Sequence, residues 1–237
     1  MQETEEARPD QTALGIGIIL ASVLTMAFAD AVVKLASADL TVWQVFVARS
    51  VVAMPCLVAI LVPMGVRFTL LSPRWALIRS ALLVLTWLAF YASLPVLSLS
   101  VAAVAVYTNP IITALLSAVV IGERVSGRQW AGVLLGFLGV VAILRPGTEA
   151  FSWFTILPLM GAAFYSLAMV LTRSKCLGEQ PLVLGLALHS VFLVTGIVAV
   201  AILAIIGLEA ETTAAFPFLF NGWTAMGLSL IHISEPT

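Results

Sequence analysis

The chain has 237 residues, of which 62% are hydrophobic and 10% charged, with a formal net charge of -1. With a mean hydropathy of +1.13, it lies far from the roughly one-quarter charged content of a soluble domain, and it offers no basic surface for nucleic acid or anionic lipid. The two cysteines, Cys56 and Cys176, have no close Cys or His partner, so no disulfide framework, metal site or cofactor is implied.

Residues 1–11 form an acidic tail without the positive flank and cleavage site of a signal peptide. Runs of about 20 apolar residues, enough to cross a hydrocarbon core of about 30 Å, then follow one another. They lie at about Thr12–Ala36, Val42–Val62, Trp75–Leu97, Val101–Ile121, Trp130–Leu144, Phe154–Leu171 and Leu182–Ile206, and an eighth starts near Pro217. The reading is an all-α, polytopic transmembrane helix bundle.

Lys and Arg of short loops are retained on the cytoplasmic side. Arg67, Arg74 and Arg79 surround the second turn, Arg124 and Arg128 the fourth, Arg173 and Lys175 the sixth, whereas the seventh carries Glu209 and Glu211. The N-terminus, with Arg8, is therefore expected in the cytoplasm. Sliding the chain by 140 residues sets Arg49-Ser50-Val51 over His189-Ser190-Val191, and by 139 sets Lys34 over Arg173. That weak match agrees with a five-helix unit followed by a second of inverted topology.

Ionisable residues inside spans are few. Each costs about 2.5 to 3.5 kcal/mol on insertion scales, so it faces protein or a water-filled cavity. Asp30 and Lys34 stand four apart on one face, in the favourable order. At 1.5 Å per residue from the turn near Ala38, Asp30 lies about 12 Å deep and Arg49 about 16 Å, so a bridge between the first two helices is feasible. Two readings stay open: these charges pack helices, with Lys34 reaching the surface, or they line a pathway.

Asn109-Pro110 breaks the fourth span, where Tyr107 and Asn109 offer hydrogen bonds to a solute or merely mark a kink. Trp87 with Tyr91, and Tyr165, either form an aromatic wall for a planar or amphipathic solute or pack against helices. His189, mid-span, is either a proton relay or a neutral hydrogen-bonded residue. Trp75, Trp130, Trp153 and Trp223 sit near span ends as an interfacial belt, and Gly132-x-x-x-Gly136 permits close helix approach.

From Tyr107 to Gly147 the chain runs Asn109-Pro110, Gly122-Glu123-Arg124, Gln129-Trp130-x-Gly132 and Arg145-Pro146-Gly147. This stretch resembles the helix-four to helix-five junction of EamA-type members of the drug/metabolite transporter superfamily. The Asp-x-x-x-Lys of the first span and the Arg of the second also resemble a subgroup of that superfamily. The resemblance implies a five-plus-five inverted repeat: residues 12–147 as the first five-helix unit and 148–227 as part of the second, about seven and a half of ten helices. Leu228–Thr237 resembles the translation of a transposase-type sequencing adapter, so 228–237 are expected to be non-native.

The function expected from the resemblance is secondary transport of a small polar or amphipathic metabolite across a bacterial inner membrane by alternating access, with Asp30, Arg49, Tyr107, Asn109, Tyr165 and His189 as substrate-binding candidates. No P-loop motif is present. The expected partners are that metabolite and the bilayer, with no nucleic acid, and a homodimer stays open. The rivals are a membrane-embedded enzyme, for which no His-Glu-x-x-His or Gly-x-Ser-x-Gly is found, and a non-transporting membrane partner protein. The charge asymmetry gives a topology test: a reporter fused after Gly122 reads cytoplasmic and one fused after Ala210 external, and finding both on one side breaks the span assignment.

Overall fold

A computed structural model of the chain describes residues 12–36, 39–122, 126–144, 152–207, 213 and 216–223. The tail with Arg8, the turn residues Glu123 and Arg124, the Arg145-Pro146-Gly147 close, Glu209, Glu211 and Leu228–Thr237 lie outside the described residues.

The described chain is helical: α1 (Thr12–Ala36), α2 (Val42–Leu61), α3 (Pro73–Ser93), α4 (Leu99–Val106), α5 (Asn109–Leu116), α6 (Gly127–Leu144), α7 (Ile156–Lys175), α8 (Pro181–Ile206) and the short α9 (Pro217–Phe220). Among the described residues six stretches are long and apolar enough to cross a membrane, with the shorter apolar Gly127–Ile143 between the fourth and fifth of them. The protein is a polytopic helical membrane bundle.

Local chemistry sets the boundaries. Thr41 and Gln44 form a reciprocal capping box at the start of α2, with Thr41 N donating to Gln44 Oε1 at 3.0 Å and Gln44 N to Thr41 Oγ1 at 3.4 Å. Pro73 and Pro181 occupy the first turns of α3 and α8, where a missing N–H costs nothing. Gly207, at φ 59°, ends α8 in the left-handed conformation that glycine adopts without strain. Gly122, at φ 76°, closes a π-helical turn at Ser117–Ile121 that follows α5.

The two most extensive interfaces are α3 with α7 and α2 with α8. The core gathers Phe46, Phe90, Tyr91, Leu94, Phe192 and Phe218. Against this body α1 packs lightly, mainly on α4, and its apolar side chains face outward, as in a helix bathed by lipid.

Small residues set two close approaches. A Cβ at Gly161 would lie 3.1 Å from Thr86 O, and one at Gly196 would lie 2.8 Å from Val47 Cγ2 and 2.9 Å from Trp43 O. The sequence pointed instead to Gly132 and Gly136, yet Gly132 faces open space and Gly136 touches only Ile111 among the described residues. Gly196→Ala is therefore expected to destabilise by about 1 to 3 kcal/mol, because α2 backbone must shift. Gly132→Ala is expected to be neutral or slightly stabilising, and melting in detergent separates the two.

Candidate functional site

The fourth span is interrupted where the sequence places Asn109-Pro110. Tyr107 caps α4, Pro110 contributes no N–H, and backbone bonding resumes with Ile111 N and Ile112 N donating to Thr108 O at 3.0 and 3.2 Å. Among the described residues the carbonyls of Val106 and Tyr107 take no backbone hydrogen bond. The carbonyl of Asn109 accepts from Ser166 Oγ of α7 at 2.9 Å, which ties the break to the neighbouring helix.

The break opens onto a cavity of about 220 Å³ lined by Asp30, Thr86, Trp87, Tyr107, Asn109 and Tyr165. A larger one, about 940 Å³ between α1, α2 and α3, is lined by Asp30, Arg49, Trp87 and Tyr91 among others. A third, about 320 Å³, lies between α1 and α4 at Asp30 and Tyr107. Asp30 borders all three, and Trp87 separates the first two.

Arg49 is held by rings. Its guanidinium carbon lies 4.7 Å from the Trp87 ring centroid and 5.1 Å from that of Phe192, within cation–π range. Its Nη1 donates to Tyr91 Oη at 3.5 Å, a long bond. Trp87 and Tyr91 in turn contact each other at 5.3 Å between centroids. His189 sits on the far side of Phe192, at 5.9 Å, and lines none of the three cavities; its Nδ1 is buried without a hydrogen-bond partner.

The expected helix-face partner of Asp30 is engaged elsewhere. Lys34 Nζ donates to the carbonyl of Leu94 and, at 3.1 Å, to that of Leu97, so it anchors α1 to the α3–α4 connection rather than reaching the surface. Asp30 and Arg49 border the same cavity without forming an ion pair. Of the six residues read from the sequence, Asp30, Tyr107, Asn109 and Tyr165 share one cavity, Arg49 joins Asp30 in the next, and His189 stands behind Phe192. Sequence reasoning missed Thr86, Met26 and the Phe192 face, whose apolar or weakly polar side chains give no signal inside an apolar run.

The start of α3 and the end of α7, which carry Arg74 and Lys175, are tied together by side chains. Ser72 N, at the head of α3, donates to Glu179 Oε1 at 2.7 Å, and the Glu179 side chain is buried. Arg79 Nε donates to Thr172 Oγ1 at 2.7 Å. Trp75 lies under Arg74 and Lys175, 5.8 and 5.6 Å from its ring centre. Cys176 is buried beneath Trp75 and Leu184, and burial pushes its thiol up. No local pattern marks Glu179, because its partner is a backbone N–H 107 residues away.

Long apolar helices that gather ionisable side chains and a broken segment around internal cavities define a multi-pass membrane protein of transporter type. Residues 13–145 match the model of the EamA-like transporter family, and the chain belongs to that family. It is also similar to a protein of Rhizobium johnstonii named riboflavin transporter, 31% identical over 104 residues that cover 44% of this chain and 33% of the relative. No solved structure matches the chain.

The Glu179 contact has a direct test. With Cys56, which is exposed, replaced by Ala, maleimide should label Cys176 slowly. Removing the charge-assisted bond with Glu179→Ala is expected to speed labelling by about tenfold or more. An unchanged rate would mean that other contacts hold the connection.

Proposed function

We propose that the chain is part of a secondary transporter that carries a small polar or amphipathic metabolite across a bacterial inner membrane by alternating access, with the N-terminus in the cytoplasm. The observation that carries this reading is the cavity at the α4–α5 break, where a carboxylate, Asn109, two tyrosines and Trp87 converge. Such convergence of polar groups on an otherwise apolar, aromatic chamber is what a small-molecule site needs.

Asp30, Arg49, Tyr107, Asn109 and Tyr165 serve as substrate contacts, and His189 acts from behind Phe192. The inverted repeat has structural support. The helices equated by the slide of 140, α2 and α8, pack on each other, and Arg49 and His189, equated by the same slide, reach opposite sides of one ring, that of Phe192. A pseudo-twofold axis through an α2–α8 crossing requires such a meeting.

The matched part of the Rhizobium protein is a third of its length, so its printed substrate is a starting point for assay. Riboflavin suits an aromatic wall, and its flux into proteoliposomes bearing the full-length protein is the first measurement. Asp30→Asn and Arg49→Gln are each expected to lower flux at least about tenfold, the scale of a hydrogen bond to a charged group. The double change is expected not to restore flux. Normal flux in the double variant would make the two charges structural.

A further inference from the structure

Asp30 and Arg49 border the same cavity, and neither is neutralised by the other. Among the described residues Asp30 makes no hydrogen bond or ion pair, and the one cation on its own helix face, Lys34, is bound to the Leu94 and Leu97 carbonyls. Arg49 lies between the Trp87 and Phe192 rings. Of the five N–H donors of a guanidinium, one is spent among the described residues, in the long bond to Tyr91. A carboxylate and a guanidinium in a medium of low dielectric attract strongly, yet Asp30 and Arg49 border one cavity without forming an ion pair.

The arrangement is a fixed dipole across a cavity. A purely anionic solute would satisfy Arg49 and be repelled by Asp30, and a purely cationic one would do the reverse. A solute carrying a donor edge and an acceptor edge satisfies both, and Trp87, which lines both the 220 Å³ and the 940 Å³ cavity, supplies an aromatic wall beside them.

We propose that the solute is dipolar and planar: it donates hydrogen bonds to Asp30, accepts them at Arg49 and stacks on Trp87. Two solute chemistries share this pattern. One is a neutral ring with an imide edge, where N–H lies between carbonyls. The other is an aromatic zwitterion, with an ammonium for Asp30 and a carboxylate for Arg49. The inference rests on the transport reading above and narrows it to a class of solute.

The test is equilibrium binding to the full-length protein in nanodiscs, with flux measured on the same preparation. Riboflavin represents the imide ring and tryptophan the zwitterion. Each is paired with an analogue that lacks the donor: N3-methylriboflavin for the first, indole-3-propionate for the second. At least one parent probe is expected to bind saturably, with its donor-less analogue weaker by about tenfold to a hundredfold, the range for a hydrogen bond to a charged group. Asp30→Ala is expected to cut that ratio below about twofold, whereas Arg49→Gln weakens the parent and leaves the ratio standing.

Equal binding of parent and analogue overturns the proposal, as does a ratio that survives in Asp30→Ala or the failure of both parents to bind. The ligand-side comparison needs no variant, so it holds even if Asp30→Ala does not fold. Flux without discrimination sinks this inference and leaves transport intact. Discrimination without flux does the opposite.

Discussion

A guanidinium cannot lie bare in hydrocarbon, and the way Arg49 is accommodated joins three helices at one point. It leaves α2 and enters between Trp87 of α3 and Phe192 of α8, and Tyr91 meets its nitrogen from the side. Phe46, one turn before Arg49, packs on Phe192 at 4.7 Å between centroids and on Tyr91 at 6.3 Å. The aromatic core of the bundle is thus a shell around one charge, and the two largest interfaces, α2 with α8 and α3 with α7, hold that shell in place. Asp30 borders the same cavity as Arg49.

Much of this was written in the sequence, for a physical reason. A segment in lipid must satisfy its own backbone, so it declares itself by length and hydropathy. The expected first span, Thr12–Ala36, is α1, and Leu182–Ile206 falls within α8. The break at Asn109-Pro110 was legible because an interior proline removes a helical hydrogen bond, although Pro55 stands inside α2 without ending it. The seam between α3 and α4 was less so: the third span was read on to Leu97, while the helix ends at Ser93 and residues 94–97 form a connection whose side chains are as apolar as a helix's.

Partners at long range were not legible. Spacing pairs Asp30 with Lys34, but the amine reaches carbonyls 60 and 63 residues further on, and no local pattern encodes that choice. The small-residue spacing at Gly132 and Gly136 marks a face able to admit a neighbour, without saying whether one comes. The glycines where neighbouring helices come close, Gly161 and Gly196, stand outside that motif. Asp30, Tyr107, Asn109 and Tyr165 were found because polar groups are conspicuous in an apolar run. Thr86, which lines the same cavity, and Phe192, whose ring lies by Arg49, were hidden by being ordinary there.

The length of α8 bears on the membrane itself. Its 26 residues rise about 39 Å at 1.5 Å each, against a hydrocarbon core of about 30 Å. The 20 residues of α2 rise about 30 Å by the same measure. Two helices pressed together at Gly196 therefore differ in hydrophobic thickness. If α2 stands near the membrane normal, α8 must lean or thicken the bilayer at its ends, at a fraction of a kcal/mol per Å of mismatch. Acyl-chain length then becomes a variable that acts on this crossing: thin bilayers increase the lean of α8 across α2, and thick ones draw the two towards parallel.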